Sequence, residues 1–178
     1  MKQGLILYGA PAVGKDTITA ALAQVDPRFR LFERLKAGPG RTVGYRITSD
    51  DTIERLANEG AILWVNERYG ARYAIDRMGL LDLLYQGHIP VVHAGQPGVI
   101  TAVTNGIPSV RWVVVELTCS RSVAHDRIVA RGTGDTDARL SAFDATPRLT
   151  GPTLSIDTGQ HSPANAASLI HAQVISGT

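Results

Sequence analysis

The segment Gly9-Ala10-Pro11-Ala12-Val13-Gly14-Lys15-Asp16-Thr17 constrains this chain more than any other, because it directly follows the apolar run Gly4-Leu5-Ile6-Leu7-Tyr8. That order predicts a buried strand, a glycine-bounded loop and a helix beginning near Gly14. Gly9 and Gly14 let the backbone turn tightly and approach an anion with no Cβ in the way. Successive N–H groups then line a concave loop, and the positive end of the helix adds to their pull. Lys15 is placed to reach the outer phosphates of a bound nucleotide, and the Thr17 hydroxyl to help hold Mg2+. The residues expected to cradle phosphate are Gly9, Ala12, Val13, Gly14, Lys15, Asp16 and Thr17. The usual pattern has Ser or Thr directly after the lysine. Here Asp16 stands there and Thr17 comes one position later.

A chain of 178 residues is long enough for one domain with a substantial core. A net charge of +2 is too weak a bias to argue for a nucleic-acid partner. The single cysteine, Cys119, excludes an internal disulfide, and its place after an apolar run suggests a buried, inert thiol. No apolar stretch approaches ~18 residues, so no membrane partner is expected. The first strand starts almost at Met1 with no leader pattern before it, and a cytoplasmic location is the expectation. Oligomeric state has no signature in the sequence.

Strand and helix signals alternate along the chain. A helix runs from Thr17 to Gln24, and a short strand is expected within 28–35. Lys36 to Arg41 reads as a loop by its glycines and proline, and Val43 to Thr48 as a strand. Ser49-Asp50-Asp51 offers a helix cap with acids in the first turn. Ile62 to Asn66 and Arg72 to Ile75 read as strands around a turn at Gly70. Met78 to Gln86 is helical and ends at Gly87. Ile89 to Ala94 and Val110 to Leu117 are near-continuous apolar runs, as expected of parallel strands covered on both faces. Helices at 122–131 and 137–145, a last strand at 153–157 and a helix capped by Ser162 complete the series. This alternation predicts a single three-layer α/β domain over 1–178 with a mostly parallel sheet. Ligands of such sheets bind at the carboxyl ends of the strands, and the glycine-rich loop lies at one such end.

A second signal is Arg127-Ile128-Val129-Ala130-Arg131-Gly132-Thr133, followed by Asp137-Ala138-Arg139-Leu140-Ser141-Ala142. Arg127 and Arg131 are four apart on one helix face. Charge on a migrating phosphoryl group spreads over its oxygens, so transfer calls for surrounding cations more than for covalent chemistry. Arg127, Arg131 and Arg139 around a glycine-rich loop are therefore candidate catalytic cations, with a lid at about 131–139 that closes over nucleotide and excludes water.

With these two motifs in view, the chain resembles the guanylate kinase-like superfamily of P-loop kinases. The loop G-x-P-x-x-G-K-x-T also looks like that of adenylate-kinase-type enzymes, which carry a metal-binding threonine at this later position. The R-x-x-x-R-G-T segment, an acidic loop and R-L-S-A together look like the superfamily's lid. The stretch from Gly44-Tyr45-Arg46-Ile47-Thr48 through Gly60-Ala61-Ile62-Leu63-Trp64-Val65 to Gly70-Ala71-Arg72-Tyr73-Ala74 is similar to its acceptor-binding subdomain, here about 34–75. The resemblance implies a P-loop kinase with ATP as donor, Mg2+ as its metal and a small phosphorylated molecule as acceptor. It places Arg34, Lys36, Arg41, Tyr45, Trp64, Glu67, Tyr73, His93 and Gln96 on the acceptor side.

The departures bear on the acceptor. Guanylate kinases read guanine with a glutamate at the position that Trp64 occupies here, and Glu67 is the nearest acid. The end of the next strand, Val91-Val92-His93-Ala94-Gly95, carries no acid either. The Gly-Lys-Asp-Ser/Thr form of the loop is familiar in the related ribose 1,5-bisphosphate phosphokinases, which likewise lack guanine-reading acids. GMP, another nucleoside monophosphate, a sugar phosphate and a specialised metabolite all stay open as acceptors. His93 is expected to touch acceptor or phosphates, or to be structural. Asp16 has two readings, an outer-sphere role at Mg2+ or simple electrostatic support of the helix N-terminus. A non-catalytic binding module of the same fold is the rival from another class.

Overall fold

The computed structural model describes residues 1–68 and 70–176. Five strands make an all-parallel central sheet in the order β2-β7-β1-β8-β9. They are β1 (Lys2–Tyr8), β2 (Phe29–Leu31), β7 (Ile89–Ala94), β8 (Val110–Thr118) and β9 (Leu154–Asp157). Register is set by apolar runs that are buried on both faces, with Leu5 opposite Val91 on one side and Val113 on the other. One face carries Leu5, Leu7, Val91, Val113 and Val115 against α1 (Lys15–Val25) and α7 (Pro163–Ile175). The other carries Ile6, Tyr8, Val92 and Ala94 against α3 (Arg77–Tyr85) and α4 (Pro97–Gly106). The three layers expected from the alternation are therefore present, since each helix buries one stripe on a sheet that is apolar throughout.

A second sheet, β4-β3-β6-β5, stands beside the first. It consists of β3 (Arg34–Ala37), β4 (Tyr45–Ile47), β5 (Ile62–Arg68) and β6 (Ala71–Asp76), with α2 (Asp50–Asn58) on one face. Leu35, Ala37, Ile53 and Ala74 form its own small core. Strands β3 and β4 run parallel although only residues 38–44 join them. Parallel neighbours normally need a much longer crossover. Gly38, Gly40 and Gly44 make the short return possible by adopting φ values of 110°, 92° and 85°.

Two expectations are corrected here, and one helix is additional to the sequence reading. Lys36 lies in β3 and is fully buried, not in a loop, and the glycine loop begins only at Gly38. The segment 28–35, expected to hold one short strand, carries both β2 and the start of β3, because Phe32 and Glu33 turn the chain from one sheet to the other. Helix α4 over 97–106 is the additional one, with Pro97 at its start as its local signal. It has no side-chain N-cap and no charged residue, and its identity rests on packing of Val99 and Val103 under the sheet.

Candidate functional site: the phosphate loop and its facing cleft

Residues 9–14 form the predicted loop between β1 and α1. A Cβ at Gly9 would lie 2.5 Å from the Leu117 carbonyl oxygen, so the loop cannot pass β8 with any larger residue. Its amide donates to the Ala94 carbonyl, which fixes the loop entrance to the end of β7. Gly14 caps α1 with φ 99°. Ala12 is the one non-glycine residue with positive φ, 66°, among those described. That conformation costs about 1–2 kcal/mol. The methyl packs with Ala124, Ile128 and Leu140 of two helices, α5 (Arg121–Arg131) and α6 (Thr136–Asp144).

The Lys15 ammonium folds into the loop and donates to the carbonyls of Gly9 (2.6 Å) and Ala10 (2.9 Å). Burial is the main cause that lowers its pKa to about 8; Asp16 opposes this, and the nearby positive charges of Arg34, Arg131 and Arg68 add to it. These cations come from β3, α5 and β5. Positive charge from three other elements thus acts on Lys15. Arg68, whose charge acts on Lys15, was not among the residues singled out from the sequence. Its signal was present: it alternates with Trp64 and Asn66 on one strand face.

Arg127, Arg131 and Arg139 are placed differently from one another. Arg131 is exposed at the end of α5, before Gly132, whose φ of 63° ends the helix. Arg139 is ion-paired with Asp135 at 2.7 Å across one turn of the lid. Arg127 reaches the loop instead of the cleft. It donates to the Ala12 carbonyl (3.1 Å), the Thr158 hydroxyl (3.0 Å) and the Thr158 carbonyl (2.9 Å). Thr158 in turn donates to the Val13 carbonyl at 2.7 Å. Arg127 and Thr158 therefore brace the strained part of the loop from behind.

The four-stranded sheet presents one face to this loop. Strand alternation puts Arg34 and Lys36 of β3, Tyr45 of β4, Trp64, Asn66 and Arg68 of β5 and Tyr73 of β6 on that face. Arg34 bridges the two sheets. It donates to the His93 carbonyl and, at 3.4 Å, to Asn66 Oδ1. Lys36 donates to the carbonyls of Gly38 and Pro39, so the glycine loop wraps its ammonium. The rings of Tyr45 and Tyr73 lie 5.3 Å apart, with the Lys36 ammonium about equally far from both.

Glu67 is not on this face. It pairs across the strands with Arg72, which also contacts Asp50 of α2 on the far side of the sheet. The odd spacing from Trp64 to Glu67 turns the carboxylate away, which corrects its placement on the acceptor side. Trp64 packs against α4, where a Cβ at Gly98 would lie 2.7 Å from the indole ring. Its Nε1 is buried without a hydrogen-bond partner. Arg41 is exposed on the glycine loop and donates to the Val43 carbonyl. Gln96 is the exposed residue before α4 and makes no side-chain cap there.

His93, at the end of β7, is held against α1. Its Nε2 is 2.7 Å from the Thr19 hydroxyl, and its Nδ1 is 3.8 Å from Asp16 Oδ1. Burial and then the positive charge of Lys15 pull its pKa down to about 4, so the imidazole is neutral. Asp16 and Thr17 are both exposed on the first turn of α1. Cys119 is only partly buried, with its thiol pKa raised by burial. Among the described residues no helix is long and apolar enough to cross a membrane.

This is the guanylate kinase-like P-loop fold. The guanylate kinase of Anaplasma phagocytophilum superposes with a TM-score of 0.63 at 15% identity, over 99% of this chain and 86% of that one. The structure designated APE1195 superposes with a TM-score of 0.57 at 16% identity, over 99% of this chain and 97% of its own. No protein-family model matches the sequence. No curated protein matches it either.

Proposed function

We propose that this chain is an ATP-dependent phosphotransferase that moves the γ-phosphate to a small phosphorylated acceptor, either a nucleoside monophosphate or a sugar phosphate. The observation that carries this reading is the 9–14 loop with the Lys15 ammonium folded onto the Gly9 and Ala10 carbonyls, and Arg34 of the second sheet held on the His93 carbonyl at the end of the neighbouring strand. The positive charges of Arg34, Arg131 and Arg68 also act on Lys15. A triphosphate and an acceptor phosphate that meet end to end supply the matching negative charge, and their transfer state spreads it further.

In this reading the backbone of 9–14 and Lys15 hold the donor phosphates. Arg131 and Arg139 close from the lid, and Arg127 keeps the loop in shape. Arg34, Arg68, Tyr45 and Tyr73 face the acceptor, and Lys36 lies beneath the two tyrosines. Magnesium suits hard oxygen donors, and the exposed Thr17 hydroxyl and Asp16 carboxylate on the first turn of α1 provide them. When bound, the ion neutralises phosphate charge during transfer. The fold it shares with a guanylate kinase supports the kinase class.

The test is a screen of phosphorylated acceptors for ADP release with Mg-ATP. One acceptor class should be turned over well above the background ATPase rate. Tight nucleotide binding with no turnover across nucleotides and sugar phosphates would favour a binding module.

A further inference from the structure

Beside the phosphate loop, the His93 imidazole and the Asp16 carboxylate face each other. Thr19 is buried, and its hydroxyl donates to the Lys15 carbonyl at 2.9 Å, one helical turn back. A hydroxyl has one proton to give. With that proton on the Lys15 carbonyl, the hydroxyl accepts from His93 Nε2–H at 2.7 Å, and this tautomer, the one the proposal uses, leaves Nδ1 as a lone pair. It points at Asp16 Oδ1 across 3.8 Å, which is too far for a hydrogen bond. The strand end that carries His93 is held in place by Arg34 on its carbonyl. Asp16 is free to move, with 57% of its side chain exposed.

We propose that His93 Nδ1 and Asp16 together ligate the divalent cation that accompanies the nucleotide, and that the imidazole makes the site prefer a first-row transition ion over magnesium. This rests on the phosphate-loop reading of residues 9–17. Neighbouring ligands at about 2.1 Å from a cation lie roughly 3 Å apart, so the pair has to close by less than ~1 Å. Rotation of the exposed Asp16 achieves that. Magnesium takes oxygen ligands and keeps its waters, whereas imidazole favours the later transition ions. Among the described residues there is no group of three or more His, Cys, Asp or Glu suited to a metal. The protein therefore supplies only part of a coordination sphere. Phosphate oxygens complete it, so the cation binds with nucleotide and only weakly alone.

Mn2+ is the probe, because its electron spin reports directly bound nitrogen. In the complex with Mn2+ and a non-hydrolysable ATP analogue, spin-echo modulation should show a coupled imidazole nitrogen. Labelling histidine with heavy nitrogen should alter that signal, which separates it from any adenine nitrogen. His93→Gln should abolish it and weaken Mn2+ about tenfold, while affecting Mg2+ much less. Asp16→Asn, a surface change that leaves folding intact, should also weaken Mn2+. If the analogue binds with Mn2+ but no histidine nitrogen is coupled, the proposal fails while the phosphate loop stands. If no nucleotide binds at all, the phosphate-loop reading fails and the proposal falls with it.

Discussion

Arg127 donates to the backbone carbonyl of Ala12 at 3.1 Å, and so ties α5 to the one described non-glycine residue with positive φ, in the loop at 9–14. The same guanidinium holds Thr158, whose hydroxyl holds Val13. Buried carbonyls need donors. Arg127 and Thr158 supply them to Ala12 and Val13, and so hold the loop's shape from behind.

Arg127→Ala should therefore act on stability as well as on catalysis. The Ala12 carbonyl and Thr158 would lose a charged donor, at a cost of about 1–3 kcal/mol. Urea unfolding checks this: the midpoint should fall with little change in slope. A variant with unchanged stability and reduced turnover would put Arg127 at the phosphates after all.

Lys15→Ala should leave the fold intact and nearly abolish transfer. Without substrate the ammonium bonds only to loop carbonyls, which water can satisfy instead. During transfer it follows the developing phosphate charge. Loss of such a group costs on the order of 3–4 kcal/mol of barrier. Single-turnover kinetics on the folded variant measure this directly, and near-normal rates would defeat the loop assignment.

GMP should be a poor acceptor. Guanine presents N–H donors that need a carboxylate or carbonyl, and Trp64 offers only a donor. Glu67 cannot take over from the opposite face of β5. Unpaired donors in a buried site cost about 1–3 kcal/mol each. Phosphorylation efficiency should be at least ~100-fold below that of a dedicated guanylate kinase, at ~1.4 kcal/mol per tenfold. Steady-state assays with GMP decide this, and efficient turnover would require a backbone carbonyl to read the base.

Acid should destabilise the protein partly through Asp26. Its carboxylate is nearly buried and accepts from the Arg28 guanidinium and amide, with His171 Nε2 at 3.4 Å. The Arg28 hydrogen bond is the leading cause that lowers its pKa from 3.8 to about 2. A depressed carboxylate stabilises the fold fully above its unfolded pKa, and that contribution disappears as pH falls from about 4 to 2. The amount is at most about 2 kcal/mol. Asp26→Asn should be less stable than the parent at pH ~7 and converge with it near pH ~2 in urea titrations. A constant gap across that window would assign the effect elsewhere.

The sequence by itself determined the central sheet and the phosphate loop. Strands β1, β7 and β8 are apolar runs that fit only a sheet covered on both faces, and Gly9, Gly14 and Lys15 fix the loop by local backbone requirements. These are short-range constraints, legible along the chain. The tertiary structure decided what each functional side chain faces. Arg127, Arg131 and Arg139 look equivalent in sequence, yet Arg127 is taken up by Ala12 and Thr158, which is 31 residues away. Lys36 reads as part of a polar loop but is buried, because the loop after it turns the Gly38 and Pro39 carbonyls onto its ammonium. Glu67 and Arg68 are neighbours in sequence and lie on opposite faces of β5, a difference set by the register with β6. His93 meets Thr19 and Asp16 only because β7 lies beside β1 and ends against α1. Such pairings depend on strand order and register, which are set by the cooperative packing of the whole sheet and not by any local stretch.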